Sequence, residues 1–150
     1  MALRDIVKDP DPVLRRRSRP VEVFDGKLAK LLDDMHETML AADGVGLAAP
    51  QVGLLRRIAV IETEDGYFEF INPSIVASSG SQRGAEGCLS VPGRNEIVVR
   101  PMNVTVEYFD RKGKKHKGEF EGLTARACCH EFDHLDGILY YDKAEKEKME

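Results

Sequence analysis

The sequence has no tryptophan, only three cysteines and no long apolar run. Three cysteines, an odd number, argue against a framework of disulfide bonds. No apolar stretch approaches the roughly 20 residues of a membrane-spanning helix, and the first residues lack the apolar core of a signal peptide. We therefore expect a protein of the reducing cytoplasm that has no membrane partner.

An excess of positive charge is absent as well. Asp and Glu total 26 residues against 22 Lys and Arg, which gives a formal net charge of -4 at pH 7. This balance indicates no direct nucleic-acid site. The composition, 42% hydrophobic and 32% charged, is that of a globular protein. Because 150 residues suit one sizeable core, we expect residues 1–150 to form a single domain.

The N-terminal part of the chain carries the pattern of one amphipathic helix. This helix is expected to follow Asp25-Gly26 and to end near Ala42-Asp43-Gly44. Spacings of three and four residues give it an apolar stripe, which consists of Leu28, Leu31, Leu32, Met35 and Met39. The opposite, polar face is expected to hold Lys30, Asp33, Asp34 and Glu37. His36 lies off the stripe and is expected to be exposed.

The middle of the chain predicts strands joined by tight turns. Residues 57–61 and 67–71 flank the hairpin turn Glu64-Asp65-Gly66, and Asn72-Pro73 is expected to end the second strand. Further strands are predicted at residues 75–76, 97–99, 104–109 and 114–120. Neighbouring strands joined by tight turns pair in antiparallel fashion, so the predicted fold class is α+β.

The segment His130-Glu131-Phe132-Asp133-His134 carries the clearest chemical signal. It lies in a second predicted helix, which begins near Glu121 and ends at Asp136-Gly137. Two histidines four residues apart leave the same face of a helix and can bind one metal ion. Glu131, between them, can reach a water molecule at that metal and act as a general base without being a ligand.

A catalytic metal usually has three protein ligands and one open position. The candidate for the third ligand is Cys88. Cys128 and Cys129 adjoin the first histidine, but neighbouring helical residues point about 100° apart, so both are interpreted as packing residues. Leu123 and Ala127 share the stripe of the two histidines, so the ligand-bearing face is expected to turn toward the core.

Three segments together are similar to the three motifs of the peptide deformylase family, in its bacterial type with a short C-terminus. They are Gly44-Val45-Gly46-Leu47-Ala48-Ala49-Pro50-Gln51, Glu86-Gly87-Cys88-Leu89-Ser90 and His130-Glu131-Phe132-Asp133-His134. Their order and spacing are those of the family, and the similarity runs from Asp9 to Leu139. The sequence departs from the family at Cys129, where many members have glutamine.

The resemblance implies antiparallel β-sheets around a central helix that carries His-Glu-x-x-His, with an N-terminal helix. It implies that residues 1–150 form one catalytic domain that removes the N-formyl group from the formyl-methionine of newly synthesised peptides and releases formate. Nascent formyl-Met peptides are then the partners, together with a transient contact to the ribosome. One divalent metal ion per chain is implied, with Fe²⁺ as the physiological ion and Zn²⁺, Ni²⁺ or Co²⁺ as replacements in purified samples.

The resemblance also assigns the site residues. The metal ligands are Cys88, His130 and His134, and the catalytic residues are Glu131, Gln51, Leu89 and Gly46. Glu131 is the general base. The Gln51 side-chain amide and the Leu89 backbone N–H stabilise negative charge on the substrate oxygen, and the backbone of Gly46 approaches the substrate. An apolar pocket for the methionine side chain is expected from Val45, Leu123 and Ala127.

Two other interpretations stay open from the residues alone. A general zinc metallopeptidase also uses His-Glu-x-x-His, but its third ligand is usually His or Glu, whereas this chain offers Cys88. A non-catalytic protein with a closed metal site would need four ligands. Cys88, Cys129, His130 and His134 supply that number, although the adjacency of Cys129 and His130 gives poor geometry.

Overall fold

The computed structural model describes residues 2–145. Its helices are α1 (Gly26–Ala41) and α2 (Gly122–Leu135). Its strands are β1 (Gly46–Ala48), β2 (Ile58–Thr63), β3 (Gly66–Ser79), β4 (Gln82–Cys88), β5 (Val91–Arg100), β6 (Asn103–Phe109) and β7 (Lys115–Glu121). Short 3-10 helices cover Pro12–Arg15, Ala49–Val52 and Tyr140–Lys143. Within residues 2–145, no helix combines the length and the hydropathy that crossing a membrane would demand.

The core is built on both faces of one antiparallel sheet. Five strands pair in the order β1-β2-β3-β6-β7, and β4 pairs with β5 in a separate two-stranded sheet. On β2, Ile58 and Val60 pack into the cluster that contains the apolar stripe of α1, whereas Ala59 and Ile61 pack into the cluster of α2. The two helices therefore cover opposite faces of the sheet. The predicted α+β class and antiparallel pairing are confirmed.

Helix α1 begins and ends within a few residues of the predicted positions. Asp25 precedes its first residue, and the Asp25 side chain accepts a hydrogen bond from the Leu28 backbone N–H at 3.0 Å. Such a cap satisfies one of the free N–H groups at a helix start. All five residues of the predicted stripe are buried.

Two polar residues of α1 lie elsewhere than predicted. Asp34 is 1% exposed rather than on the polar face, because it accepts hydrogen bonds from Arg4 at 3.0 Å and from Lys30 at 3.2 Å, which compensate its burial. His36 is only partly exposed, since its ring stacks on Tyr67 with centroids 3.8 Å apart.

The strand prediction differs from the structure at four strands: it ends β3 too early, covers only residues 97–99 of β5 and lacks both β1 and β4. β3 does not end at Asn72-Pro73 but continues to Ser79, because a register shift between Ile71 and Ser74, with φ 51° at Asn72, absorbs the proline in a bulge. β4 is absent from the prediction. Its sequence, Gln-Arg-Gly-Ala-Glu-Gly-Cys, has almost no apolar alternation, and its one buried residue is the charged Glu86.

Helix α2 is buried on nearly all sides, so the face that bears His130 and His134 lies inside the protein. Ala127, Cys128 and Cys129 pack in the α2 cluster, as predicted. Leu123 does not: it lies in the first turn of the helix and is 51% exposed. The helix ends as predicted, with Gly137 at φ 75° donating its N–H to the His134 carbonyl oxygen.

Candidate metal centre

Three predicted ligands from two distant segments meet beside α2. Cys88 stands at the end of β4, and His130 and His134 lie one turn apart on α2. One ligand atom from each lies within 4.8 Å of the other two. The Cys88 Sγ is 3.4 Å from His134 Nε2. One thiol and two imidazoles form a donor set suited to Zn²⁺ or Fe²⁺.

Two neighbouring side chains, Glu86 and Tyr140, fix the orientation of the His130 ring. Its Nδ1 donates to Glu86 Oε1 at 3.0 Å, which leaves Nε2 free to act as a ligand. The Tyr140 ring stacks on the imidazole with centroids 5.7 Å apart. Glu86 is itself held by Arg100, whose Nε and Nη2 donate to the two carboxylate oxygens at 2.9 Å each. Against the cost of burial, these bonds lower the pKa of Glu86 to about 2, so it acts as an acceptor.

The two imidazoles lie in different electrostatic surroundings. Burial, followed by the proximity of His130, lowers the pKa of His134 to about 3, so this ring is a neutral donor. At His130 burial acts in the same direction, but the Glu131 carboxylate, the hydrogen bonds to Cys88 and Glu86 and the charge of Cys88 outweigh it, so the pKa of this ring is raised while no cation is bound. The site therefore favours one positive charge close to Cys88 and Glu131. A bound cation requires the same electrostatic condition.

Glu131 lies beside the three donors without belonging to them. Its Oε2 is 4.0 Å from His130 Nε2, and its Oε1 is buried with no hydrogen-bond partner in the described part of the chain. Burial raises the pKa of Glu131 to about 7, which suits a group that must accept and return a proton near neutral pH. The opposite wall is Gly46, where a Cβ atom would stand 2.6 Å from Glu131 Oε2.

Gln51 and Leu89 flank Cys88. Gln51 is 1% exposed, and its Oε1 accepts a hydrogen bond from the Ala48 backbone N–H at 2.9 Å. That bond turns its Nε2 toward Ser90 Oγ at 3.1 Å and Cys88 Sγ at 3.6 Å. Leu89 lies in the two-residue turn between β4 and β5. Both residues line the cavity that Cys88, His130 and Glu131 also line.

The cavity has a volume of about 430 Å³. The predicted pocket residues Val45, Leu123 and Ala127 all line it, and so does Gly46. Leu123 thus contributes its apolar surface to the cavity mouth rather than to the core. Apolar and polar side chains both line the cavity, which is the usual composition of a site for a small ligand.

Comparison with known proteins agrees with this geometry. The family model described as polypeptide deformylase matches residues 3–150. The chain belongs to the polypeptide deformylase family. A peptide deformylase of Alkaliphilus metalliredigens is 53% identical over 98% of this chain and 100% of its own length. The enzyme of Acetivibrio thermocellus is 54% identical over 95% of this chain and 84% of its own.

The fold agrees with the family as well. The crystal structure of peptide deformylase from Thermotoga maritima matches with a TM-score of 0.95 and 40% identity, over 97% of this chain and 100% of that one. Deformylases are metal-dependent hydrolases that remove the N-formyl group from nascent peptides.

Sequence reasoning missed the residues that surround the candidate ligands. They are Glu86, Ser90, Arg100, Arg126 and Tyr140. Two signals were available. Glu86 stands two residues before Cys88, and alternate residues of a strand share a face. Arg126 stands one turn before His130, and such residues share a face of a helix.

Proposed function

We propose that this chain performs the deformylase reaction at the site formed by Cys88, His130 and His134, with Glu131 as general base. One observation supports this assignment above all others. Three donor atoms converge within 4.8 Å beside a buried carboxylate that is not one of them. A non-catalytic site would need a fourth protein donor, and Cys129 is not part of this group.

The donor set fits a divalent ion. Nε2 of His130 is free because Nδ1 is committed to Glu86, and the Cys88 side chain is partly exposed toward the cavity. We propose Fe²⁺ as the physiological ion, one per chain, with Zn²⁺, Ni²⁺ or Co²⁺ as replacements. When bound, the ion supplies Lewis acidity, which acidifies a water molecule and polarises the formyl carbonyl.

Each protein group then has one task. Glu131 accepts a proton from a water molecule while the oxygen of that water attacks the formyl carbon. The Gln51 side-chain N–H and the Leu89 backbone N–H donate to the carbonyl oxygen as negative charge develops there. The carbon–nitrogen bond breaks, Glu131 returns its proton to the departing amine, and the water oxygen leaves in formate. Gly46 leaves room for the Glu131 carboxylate and brings its own backbone close to the substrate.

The substrate assignment uses the remaining cavity wall. Val45, Leu123 and Ala127 offer apolar surface for a methionine side chain. We propose that residues 1–150 act as one catalytic domain, in keeping with a single sheet that serves both core clusters. Since the substrates are nascent peptides, we further propose a cytoplasmic location and a transient contact with the ribosome.

The decisive experiment measures formate released from a formyl-Met peptide before chelation, after chelation and after anaerobic reloading with Fe²⁺. The matched control substrate is the same peptide with an acetyl group in place of the formyl group. We expect formate from the formylated peptide and a free N-terminal amine from the formylated but not from the acetylated peptide, with loss of both products on chelation and recovery on reloading. Cleavage of internal peptide bonds, detected by mass spectrometry, would instead support a general metallopeptidase.

A further inference from the structure

The proposed ligands come from two separate parts of the fold, helix α2 and the β4–β5 sheet. The histidines stand on α2, whereas Cys88 stands on the two-stranded β4–β5 sheet, which is separate from the main sheet. A two-stranded sheet has little stability of its own. The distance from Cys88 to the histidines therefore depends on the contacts that hold β4 and β5 against α2.

Arg126 makes such a contact to both strands at once. It is 9% exposed, and its Nη1 donates to Glu86 Oε2 at 2.6 Å and to the Val98 carbonyl oxygen at 3.2 Å. Nη1 and Nη2 also reach the backbone carbonyl oxygens of Gly84 and Gln82, each at 3.4 Å. One guanidinium from α2 thus contacts the backbone of β4, the backbone of β5 and the carboxylate that orients His130.

The Glu86 carboxylate shows what Arg126 contributes. Oε1 accepts from Arg100 and from His130 Nδ1, and Oε2 accepts from Arg100 and Arg126. Each oxygen therefore has two donors. Without Arg126 the second oxygen would keep a single donor, and the carboxylate could rotate away from the His130 ring. Gly84 supports the same arrangement, because a Cβ atom there would lie 3.2 Å from Arg126 Nη2.

We propose that Arg126 is a positioning residue of the metal centre: it holds the Cys88-bearing β4–β5 sheet against α2 and keeps the Glu86 carboxylate directed at His130. This inference rests on the ligand set given under the proposed function. Residues that orient ligands from behind commonly change metal affinity by about 10- to 100-fold when removed. The hydrogen bonds of Arg126 go to Glu86 and to the β4–β5 backbone and not to a ligand, so its effect passes through these groups.

The test compares Arg126→Met, which keeps the length and loses the donors, with Arg126→Lys, which keeps the charge. Each metal-free protein is loaded with Co²⁺, and two properties are measured: the thiolate-to-cobalt absorption band, and the rate of Co²⁺ loss to a chelator. We expect Arg126→Met to release Co²⁺ about 10- to 100-fold faster than wild type, with a weaker or shifted band. Arg126→Lys should release Co²⁺ at a rate between those of wild type and Arg126→Met.

The matched control is Arg111→Met. Arg111 lies in the β6–β7 turn and donates to both oxygens of Glu69, at 2.9 and 2.6 Å. It should lower stability without changing the cobalt band or the release rate. If Arg126→Met does not fold, Arg126→Gln takes its place with the same expectation.

The measurements can refute the proposed ligand set and the role of Arg126 separately. A wild-type protein that binds Co²⁺ without a thiolate band would overturn the proposed ligand set itself. A normal wild-type band, with release from folded Arg126→Met or Arg126→Gln as slow as from wild type, would overturn the role of Arg126 alone. Equal acceleration in the Arg111→Met control would overturn it too, because a general loss of stability would then explain the effect.

Discussion

The contact between Gly46 and Glu131 permits a sharp test of the general base. A Cβ atom at Gly46 would lie 2.6 Å from Glu131 Oε2, 2.8 Å from Cγ and 2.9 Å from Cδ. Three atoms of the Glu131 side chain would meet this Cβ, so the carboxylate could restore normal contacts only by leaving its place beside the three donors. Gly46→Ala must therefore displace the carboxylate, by roughly 1 Å if ordinary contact distances are to be restored.

The size of the effect follows from that displacement. A misplacement of about 1 Å can lower a rate about 10²-fold, which corresponds to about 2.7 kcal/mol in the barrier. The complete loss of a general base costs about 10²- to 10⁴-fold, so the expected effect lies near the lower end of that range. Because Glu131 is not a ligand, metal content should stay the same, and the loss should appear in kcat rather than in KM.

The assay is steady-state formate release, with metal content measured on the same samples. The matched control is Gly26→Ala, where a Cβ atom would meet nothing within 4 Å and where a helical alanine should even stabilise the fold. A wild-type kcat in Gly46→Ala would refute the argument. Loss of metal in parallel with activity would also refute it, because the damage would then lie in the ligands.

Four further predictions concern the groups around the ion. Glu131→Gln should keep the metal and lower kcat by about 10²- to 10⁴-fold; turnover near the wild-type rate would show that another group is the base. Gln51→Ala should lower kcat by roughly 10²-fold, and a raised KM with kcat intact would count against its role as a donor. Cys88→Ala should reduce metal content after dialysis, measured by elemental analysis, whereas Cys128→Ala should not. Metal-free protein that is reloaded anaerobically with Fe²⁺ should lose activity in air, because iron and the Cys88 thiolate both oxidise. Protein loaded with Ni²⁺ or Co²⁺ should keep its activity, and the Zn²⁺ form should be stable but slower. Equal decay for all four ions would contradict the oxidation route.

The periodicity of the sequence was enough to predict those features of the fold and the site that depend on residues a few positions apart. The stripe of α1 and the pair His130 and His134 follow from the helical repeat alone. The burial of β2 follows from its continuous apolar run. These elements lie close to where the pattern placed them.

The remaining features depend on partners far along the chain. Asp34 is buried because Arg4, 30 residues away, neutralises it. Glu86 faces His130 across 44 residues of sequence. β4 has no apolar pattern, since its inward positions serve the charged network and the metal site instead of a core. A local hydrophobic pattern cannot reveal such elements, because their stability comes from ion pairs formed only after folding.

The burial of α2 also sorts the three thiols by reactivity. Cys128 and Cys129 lie in the core, where burial raises the pKa of both, so they remain protonated and sheltered at neutral pH. Of the three cysteines, only Cys88 is partly exposed, and it opens onto the cavity of the candidate metal centre. Alkylating reagents attack the thiolate, so native modification should be confined to Cys88 and should be slowed when a cation occupies its sulfur. The fold therefore supplies its own chemical reporter of metal occupancy: the number of reactive thiols per native chain.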